Sequence, residues 1–243
     1  MWEIWLFTFR LGFLQFIKGV EFYRCIENHW FLQHFKGKLH DKVVLDIGPW
    51  KSPLASYLSR RHGTIQSVLD VDEGLMVQRK YCSEMRLFKM KYFELGEPIK
   101  LGFPSRSADI VTIISTIEHF PGDGDLDIMD EINRILVPDG AVYITVPYGP
   151  DYKSQIHYKW DEKTYNYEAI VERFHKNFIV EKEFFFKDSK TSRFTYLYWK
   201  LPRVVRFALG RVWILFASHY IKTDRAKKDD ASLYGVVLRK PMI

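Results

Sequence analysis

Short apolar runs rich in β-branched residues alternate along the chain with segments whose apolar positions recur at helical spacing. The runs are typical of buried strands, and the spaced segments are typical of amphipathic helices. The runs predict strands at 42–47, 65–71, 108–115, 141–146, 178–186 and 232–239. The spacing predicts helices at 53–61, 73–84, 126–136 and 161–175, with Ser52 as the N-cap of the first.

Apolar strands that alternate with helices predict an α/β fold built on a doubly wound, Rossmann-like sheet of about seven strands. The last two predicted strands follow each other without a short helical crossover, so we expect the last strand to be antiparallel. Residues 138–140 (Pro-Asp-Gly) predict a turn, and residues 147–160 predict a loop.

The pattern indicates a single domain, 1–243, with two additions to its core. Residues 1–40 are aromatic and amphipathic and predict an N-terminal helical segment. Residues 41–187 and 231–243 form the predicted core. Residues 188–230 interrupt the pattern as a basic, aromatic insertion before the last strand.

Composition narrows the class of protein. The 243 residues are 47% hydrophobic and 27% charged, which suits a folded domain with a sizeable core. The two cysteines, Cys25 and Cys82, are too few for a disulfide framework, so we expect a reducing, cytoplasmic location. Histidines and cysteines lack metal-ligand spacing, and no metal is expected.

The net charge of +6 is concentrated in the insertion. Residues 194–228 mix bulky apolar side chains with Lys and Arg, as helices in a membrane interface do, so an anionic membrane surface is an expected partner. The alternative is a lid or dimerisation element packed on the core. Nucleic acid is not expected, because the basic residues come with bulky aliphatics rather than in a polar stripe. The oligomeric state stays open.

Two apolar runs close on an acid about twenty residues apart, the first at Asp46-Ile47-Gly48 and the second at Asp70. The first runs into a turn and then a helix. This arrangement holds nucleosides in parallel α/β sheets, where a carboxylate after the second strand accepts hydrogen bonds from the ribose hydroxyls. The sequence therefore predicts an enzyme that uses a nucleoside cofactor.

Four segments in this order resemble the class I S-adenosylmethionine-dependent methyltransferases, and the type 11-like group in particular. They are Val43–Gly48, Val68–Asp70, the stretch from Leu101-Gly102-Phe103-Pro104 to Ile117-Glu118-His119-Phe120, and Glu131–Gly140. The resemblance covers roughly residues 42–148 and implies S-adenosylmethionine as the cofactor.

The resemblance also implies the residues of the cofactor site. Asp46 and Gly48 shape the turn, Ser52 opens a helix toward the amino-acid end of the cofactor, and Asp70 holds the ribose. Ser115 and Thr116 line the methyl-transfer channel at the carboxyl end of a strand. The full set of expected cofactor-binding residues is Asp46, Gly48, Trp50, Ser52, Asp70, Val71, Glu97, Ser115 and Thr116.

The turn departs from the family pattern of three alternate glycines. Gly48 stands at the first position, but Trp50 and Ser52 occupy the second and third. A tryptophan at the second position must turn its indole away or reshape the pocket. The alternative function is therefore a non-catalytic, methyltransferase-like scaffold or partner subunit with a degenerate cofactor turn.

His119 and His157 are the candidate catalytic residues. A hydroxyl acceptor must lose a proton during methyl transfer, and a neutral imidazole suits that task. We therefore expect O-methylation of a small-molecule or lipid-linked acceptor by in-line methyl transfer. The alternatives are that His119 fastens its loop and that His157 is a surface histidine. An alternative reaction in this fold is transfer of an aminopropyl group to a polyamine, which normally needs a pocket rich in acidic residues. This reaction is disfavoured, because the loop at 147–160 offers Asp151 alone.

Overall fold

The computed structural model describes residues 22–35, 39–87, 90–94, 101–157, 160–186, 200–202, 205 and 231–242. Most of the predicted N-terminal segment and of the insertion lies outside these residues. Within the described part, no helix is both long and apolar enough to cross a membrane.

The described strands form a seven-stranded sheet and a separate hairpin. The strands are β1 (Val43–Ile47), β2 (Ile65–Asp70), β3 (Lys91–Glu94), β4 (Ala108–Ile114), β5 (Leu136–Pro147), β6 (Lys153–His157), β7 (Trp160–Thr164), β8 (Ile179–Phe186) and β9 (Leu233–Arg239). The order in the sheet is β3-β2-β1-β4-β5-β9-β8, and β6 pairs with β7. Strands β1 to β5 are parallel, whereas β9 is antiparallel to both neighbours. The predicted Rossmann-like sheet with an antiparallel last strand is confirmed.

Helices cover both faces of this sheet. The described α-helices are α1 (Phe22–His34), α2 (Leu54–His62), α3 (Asp72–Met85), α4 (Gly124–Ile135) and α5 (Tyr167–Phe174), and a short 3₁₀ helix follows β4 at Ile117–His119. Helix α2 begins one residue later than predicted, with Pro53 at the N-cap, although the Ser52 hydroxyl accepts a hydrogen bond from Leu54 N at 3.3 Å. It ends at Gly63, which is left-handed at φ 66°.

The helix predicted at 161–175 is wrong in its first half, and the loop predicted at 147–160 is wrong where it contains β6. Strand β7 pairs antiparallel with β6, so these residues form a hairpin. Helix α5 begins only after Asn166, whose side chain accepts a hydrogen bond from Ala169 N at 3.0 Å. Asn166 is a favoured N-cap residue, and this start signal marks the true boundary.

Two smaller differences concern β3 and β5. Strand β3 has no counterpart among the predicted strands, because four partly exposed residues at a sheet edge make no apolar run. The turn predicted at 138–140 lies inside β5. It interrupts the pairing there: Ala108 pairs with Leu136 but Ile110 pairs with Ala141, and Asp139 has φ 61°.

Aromatic packing fixes α1 on the sheet. Trp30 is 2% exposed and meets Phe184 with ring centroids 5.1 Å apart, and Phe31 meets Tyr143 at 4.7 Å. Edge-on aromatic pairs of this kind each add about 0.5–1.5 kcal/mol to the effect of burial. Helix α1 is therefore packed against β5 and β8.

A buried ionic cluster fixes the β6–β7 hairpin on α4 and α5. Asp125 Oδ1 lies 3.4 Å from Lys163 Nζ and accepts a hydrogen bond from Arg173 Nη1 at 2.8 Å. Its other oxygen accepts from the Tyr165 hydroxyl at 3.0 Å. Burial, and then the Asp125 charge, raise the pKa of Tyr165, so the phenol stays protonated as a donor. Lys163 also donates to Phe120 O at 2.5 Å, which ties β7 to the segment after β4.

Candidate active site

The turn after β1 is built closely around Gly48. Its backbone is left-handed at φ 64°, and its amide donates to Leu69 O at 2.7 Å. A Cβ at this position would lie 2.0 Å from Thr116 Cγ2, so the Thr116 side chain occupies the space above the glycine. Thr116 Oγ1 in turn donates to Gly48 O at 2.9 Å. Only glycine fits here, and Thr116 joins the end of β4 to the turn.

Trp50, at the position of the second glycine in the family pattern, has a left-handed backbone conformation. Its φ is 46°, in the left-handed region that side chains with a Cβ avoid. Its amide donates to Asp70 Oδ2 at 2.7 Å, and its carbonyl accepts from Gln78 Nε2 at 2.8 Å. The ammonium of the exposed Lys51 lies 5.6 Å from the centre of a Trp50 ring, so the indole lies beside the protein surface.

Asp70 lies at the carboxyl end of β2 and is 5% exposed. Besides the Trp50 amide, it accepts a hydrogen bond from Val71 N at 2.8 Å through Oδ1. A Cβ on Gly74 would lie 2.3 Å from the carboxylate, so α3 needs glycine at this point for the acid to fit. A carboxylate offers about four acceptor sites, so a carboxylate bound to two amides can also accept from ligand hydroxyls.

Asp46 lies one residue before the end of β1 and contacts the neighbouring strand β4. Its Oδ1 accepts from Thr112 Oγ1 at 2.6 Å, and both side chains are buried. Ser52, 8% exposed, binds the first amide of α2 as described above. Asp46 therefore joins β1 to β4 before the turn, and Ser52 joins the end of the turn to α2.

Ser115 and a residue that the sequence analysis missed, Glu27, meet where β4 and β5 end. Ser115 is left-handed at φ 42°, and its hydroxyl donates to Glu27 Oε1. The same oxygen accepts from Thr145 Oγ1 at 2.7 Å, and Glu27 is fully buried. The sequence signal that could have revealed Glu27 is its position three residues before Trp30 and four before Phe31. This spacing places the acid on the apolar face of the helix.

His119 closes the 3₁₀ helix, and its side chain is 44% exposed. Its Nδ1 lies 2.8 Å from Asp161 O on β7. A carbonyl oxygen only accepts, so Nδ1 carries the proton and the neutral ring presents Nε2 as its basic nitrogen. The Glu118 Oε1 atom lies 3.9 Å from Nε2.

The β7 strand holds this histidine segment at several points. Asp161 Oδ2 accepts from Gly122 N at 3.2 Å, and Lys163 donates to Phe120 O. The hairpin that replaces the predicted loop is thus the element that orients His119. The backbone of His157 ends β6, opposite Trp160, but the His157 side chain lies outside the described part. Glu97 lies outside it as well.

Two further residues missed by the sequence analysis, Glu131 and Arg134, hold the segment that leads into β4. Glu131 Oε2 accepts from Leu101 N at 2.9 Å. Arg134 donates to Leu101 O at 2.9 Å and to Phe103 O at 2.8 Å, and it also pairs with Glu131. The Glu131–Gly140 segment quoted above thus carries a clamp for the segment at 101–103.

The structure therefore gathers most of the expected residues at one edge of the sheet. Gly48, Trp50, Ser52, Asp70, Val71, Ser115 and Thr116 surround the carboxyl ends of β1, β2 and β4. In doubly wound sheets ligands bind at this edge. No group of three or more metal-ligating side chains is found among the residues that the structure describes.

Comparison with known proteins gives a consistent result. Residues 45–144 match the model of a family described as a methyltransferase domain. No curated protein matches the chain. Similar solved structures include a protein described as a putative sarcosine dimethylglycine methyltransferase from Galdieria sulphuraria, at 16% identity and TM-score 0.62, covering 88% of this chain and 85% of that one.

Two further structures are similar. A putative methyltransferase of Haloferax volcanii, solved with the Trm112 methyltransferase activator, has 16% identity and TM-score 0.62, with 88% of this chain and 89% of that chain covered. Phosphoethanolamine N-methyltransferase 2 of Haemonchus contortus, solved with S-adenosyl-L-methionine, has 16% identity and TM-score 0.58, with 89% and 52% covered. At these identities the likeness establishes the fold.

Proposed function

We propose that this chain, which carries a class I S-adenosylmethionine-dependent methyltransferase domain, methylates an oxygen atom of a small-molecule or lipid-linked acceptor. The cofactor is S-adenosylmethionine, as expected for this domain. When bound, it supplies a methyl group on a positively charged sulfur, which a nucleophile attacks in line. The residues of the chain must bind the cofactor, align the acceptor and remove the acceptor's proton.

Residues around the turn after β1 fit the cofactor. Gly48 leaves no side chain between Thr116 and the turn, and Asp70 offers a carboxylate at the end of β2. In this proposal Asp70 binds the ribose hydroxyls, next to Val71, and the turn from Gly48 to Ser52 faces the methionine end. Ser115 and Thr116 flank the methyl group. Glu97, outside the described residues, is the proposed ligand of the adenine amino group, a role that the family resemblance implies.

His119 supports oxygen as the accepting atom, and its contact with Asp161 O is the observation that carries the proposal. The contact places the hydrogen of the neutral ring on Nδ1, which leaves Nε2 as the basic nitrogen of a half-exposed side chain after β4. A base there takes the proton from a hydroxyl as the carbon–oxygen bond forms. His157 stays a second candidate for the same task.

Transfer of labelled methyl groups tests this function. The protein is incubated with methyl-labelled S-adenosylmethionine and matched acceptors that carry a hydroxyl, carboxyl, amine or thiol group, each as a small molecule and as a lipid-linked form. We expect label on oxygen, with the hydroxyl acceptors best. Label on amines or thiols alone would contradict the proposed oxygen acceptor, and turnover of the small molecules alone would remove the lipid-linked class.

Replacing Asp70 by alanine is expected to weaken cofactor binding by at least about tenfold, or 1.4 kcal/mol. The change removes the proposed ribose ligand and also the acceptor of the Trp50 amide. Calorimetric titration with S-adenosylhomocysteine measures the effect. Asp72→Ala is the matched control, because Asp72 is exposed in the first turn of α3. An affinity unchanged in Asp70→Ala would remove Asp70 from the cofactor site.

We also propose that residues 194–228 contact an anionic membrane surface. The support is their composition, since the segment contains basic and bulky apolar residues and a single acid, Asp224. Of this segment the structure describes 200–202 and 205, where Lys200 is exposed. Co-sedimentation with vesicles of anionic lipid at low salt tests the contact, with neutral vesicles as the control. Protein that stays in the supernatant with both would exclude it.

A further inference from the structure

Helix α3 holds the cofactor turn through two side chains one helical turn apart. Gln78 Nε2 donates to Trp50 O at 2.8 Å and to Ser52 O at 2.9 Å. The Tyr81 hydroxyl lies 3.4 Å from Lys51 O. Burial, with a smaller effect of Glu84, raises the pKa of Tyr81 to about 12, so the phenol remains a donor. Three successive carbonyls of the turn therefore face α3.

We infer that Gln78 is a positioning residue of the cofactor site, which holds the turn in the shape that glycine normally gives it. The inference rests on the proposed function, in which this turn contacts the cofactor. Trp50 occupies the position of the second glycine, and its φ of 46° is unfavourable for a residue with a Cβ. A turn built this way needs bonds from outside to keep its shape.

The bonds to Trp50 come from two sides of the peptide chain. Asp70 accepts from its amide at 2.7 Å, and Gln78 donates to its carbonyl at 2.8 Å. The residue is thus fixed at both backbone polar groups while its indole lies toward the surface. Asp70 is also the proposed ribose ligand. The hydrogen bonds of Asp70 and Gln78 to Trp50 therefore connect the shape of the turn to the position of this acid.

Burial of Gln78 supports a dedicated role. The side chain is fully buried, and its Oε1 has no hydrogen-bond partner among the described residues. A buried polar atom without a partner is unfavourable, whereas an apolar side chain at this point of α3 would pack without that cost. The two donor bonds to the turn explain why an amide stands there. Only the NH₂ end can donate to two carbonyls, which fixes the orientation of the amide.

A double-mutant cycle tests the inference. The variants are Gln78→Met, which keeps the size but removes the donors, Trp50→Gly, which removes the backbone strain, and the double variant. Calorimetry with S-adenosylhomocysteine gives the dissociation constants, and steady-state kinetics gives kcat and KM. The exposed Gln155→Met is the matched control. Thermal melting identifies a Gln78 variant that fails to fold, in which case Gln78→Leu replaces it, since leucine is also uncharged and lacks a donor.

We expect Gln78→Met to weaken cofactor binding by at least about tenfold and to raise KM for the cofactor. At saturating cofactor, kcat and the KM of the acceptor should stay near the wild-type values. The affinity of Trp50→Gly is the reference for the second background, and in that background Gln78→Met should cost less than about threefold.

Two results would overturn the inference. Unchanged cofactor affinity in Gln78→Met would show that the hydrogen bonds of Gln78 to the turn do not shape the cofactor site. The same loss with Trp50 and with glycine at position 50 would show that Gln78 acts elsewhere. Wild-type protein that binds no S-adenosylhomocysteine would instead overturn the proposed function itself, so the two failures are distinguishable.

Discussion

His119→Gln is expected to lower methyl transfer to a hydroxyl acceptor by about 10²–10⁴-fold at saturating substrates, the usual contribution of a general base. Glutamine can still donate to Asp161 O, which His119 Nδ1 contacts at 2.8 Å, but it cannot take up a proton. The variant therefore separates the role of base from the role of fastening the loop. The measurement is kcat with labelled cofactor, together with the dissociation constant of S-adenosylhomocysteine.

His40→Gln is the matched control for this experiment. His40 is exposed and precedes β1, at the opposite end of the strand from the candidate active site. It should transfer methyl groups at the wild-type rate. If His119→Gln keeps its rate within about threefold, His119 is not the base, and His157 becomes the next candidate. A loss of cofactor affinity equal to the loss of rate would mean that the loop itself has collapsed.

Asp125→Asn is expected to destabilise the fold by about 3–5 kcal/mol, because it leaves the buried Lys163 and Arg173 without their shared carboxylate. Lys163 is 1% exposed and Asp125 is fully buried, so water does not replace the lost charge. For a domain of this size the loss corresponds to a fall in Tm of roughly 6–20 °C. Urea unfolding and thermal melting measure it.

Asp123 provides the control within the same cluster. Its carboxylate accepts from Arg173 Nη2 at 3.0 Å, but the side chain is 74% exposed. Exposed ion pairs contribute at most about 1 kcal/mol, so Asp123→Asn should change stability little. Equal effects of the two substitutions would contradict the assignment of Asp125 as the buried centre that holds the β6–β7 hairpin.

The sequence predicted which residues meet at the carboxyl edge of the sheet, because those signals are local. Gly48 and Asp70 each end an apolar strand, and parallel strands bring their carboxyl ends to one edge of the sheet. The departure at Trp50 was also visible in the sequence. How the chain accommodates it was not, because Gln78 lies on a helix whose contact with the turn depends on tertiary packing.

The less predictable parts depend on contacts between distant residues. Lys163 looks like a surface charge in the sequence, and only the fold brings it to Asp125 and makes 160–164 a strand rather than a helix. Glu27 joins an N-terminal helix to Ser115 and Thr145, far along the chain. Asn166 did carry a local signal, as an N-cap residue, and it marks where the helix begins.

Calorimetric titration of the wild-type protein with S-adenosylhomocysteine tests the central claim most directly. Micromolar binding, in the usual range for enzyme ligands, is the result that a working cofactor site at Gly48 and Asp70 predicts. A titration with no heat of binding at millimolar ligand would contradict it. The chain would then fit the alternative, a methyltransferase-like scaffold with a degenerate cofactor turn.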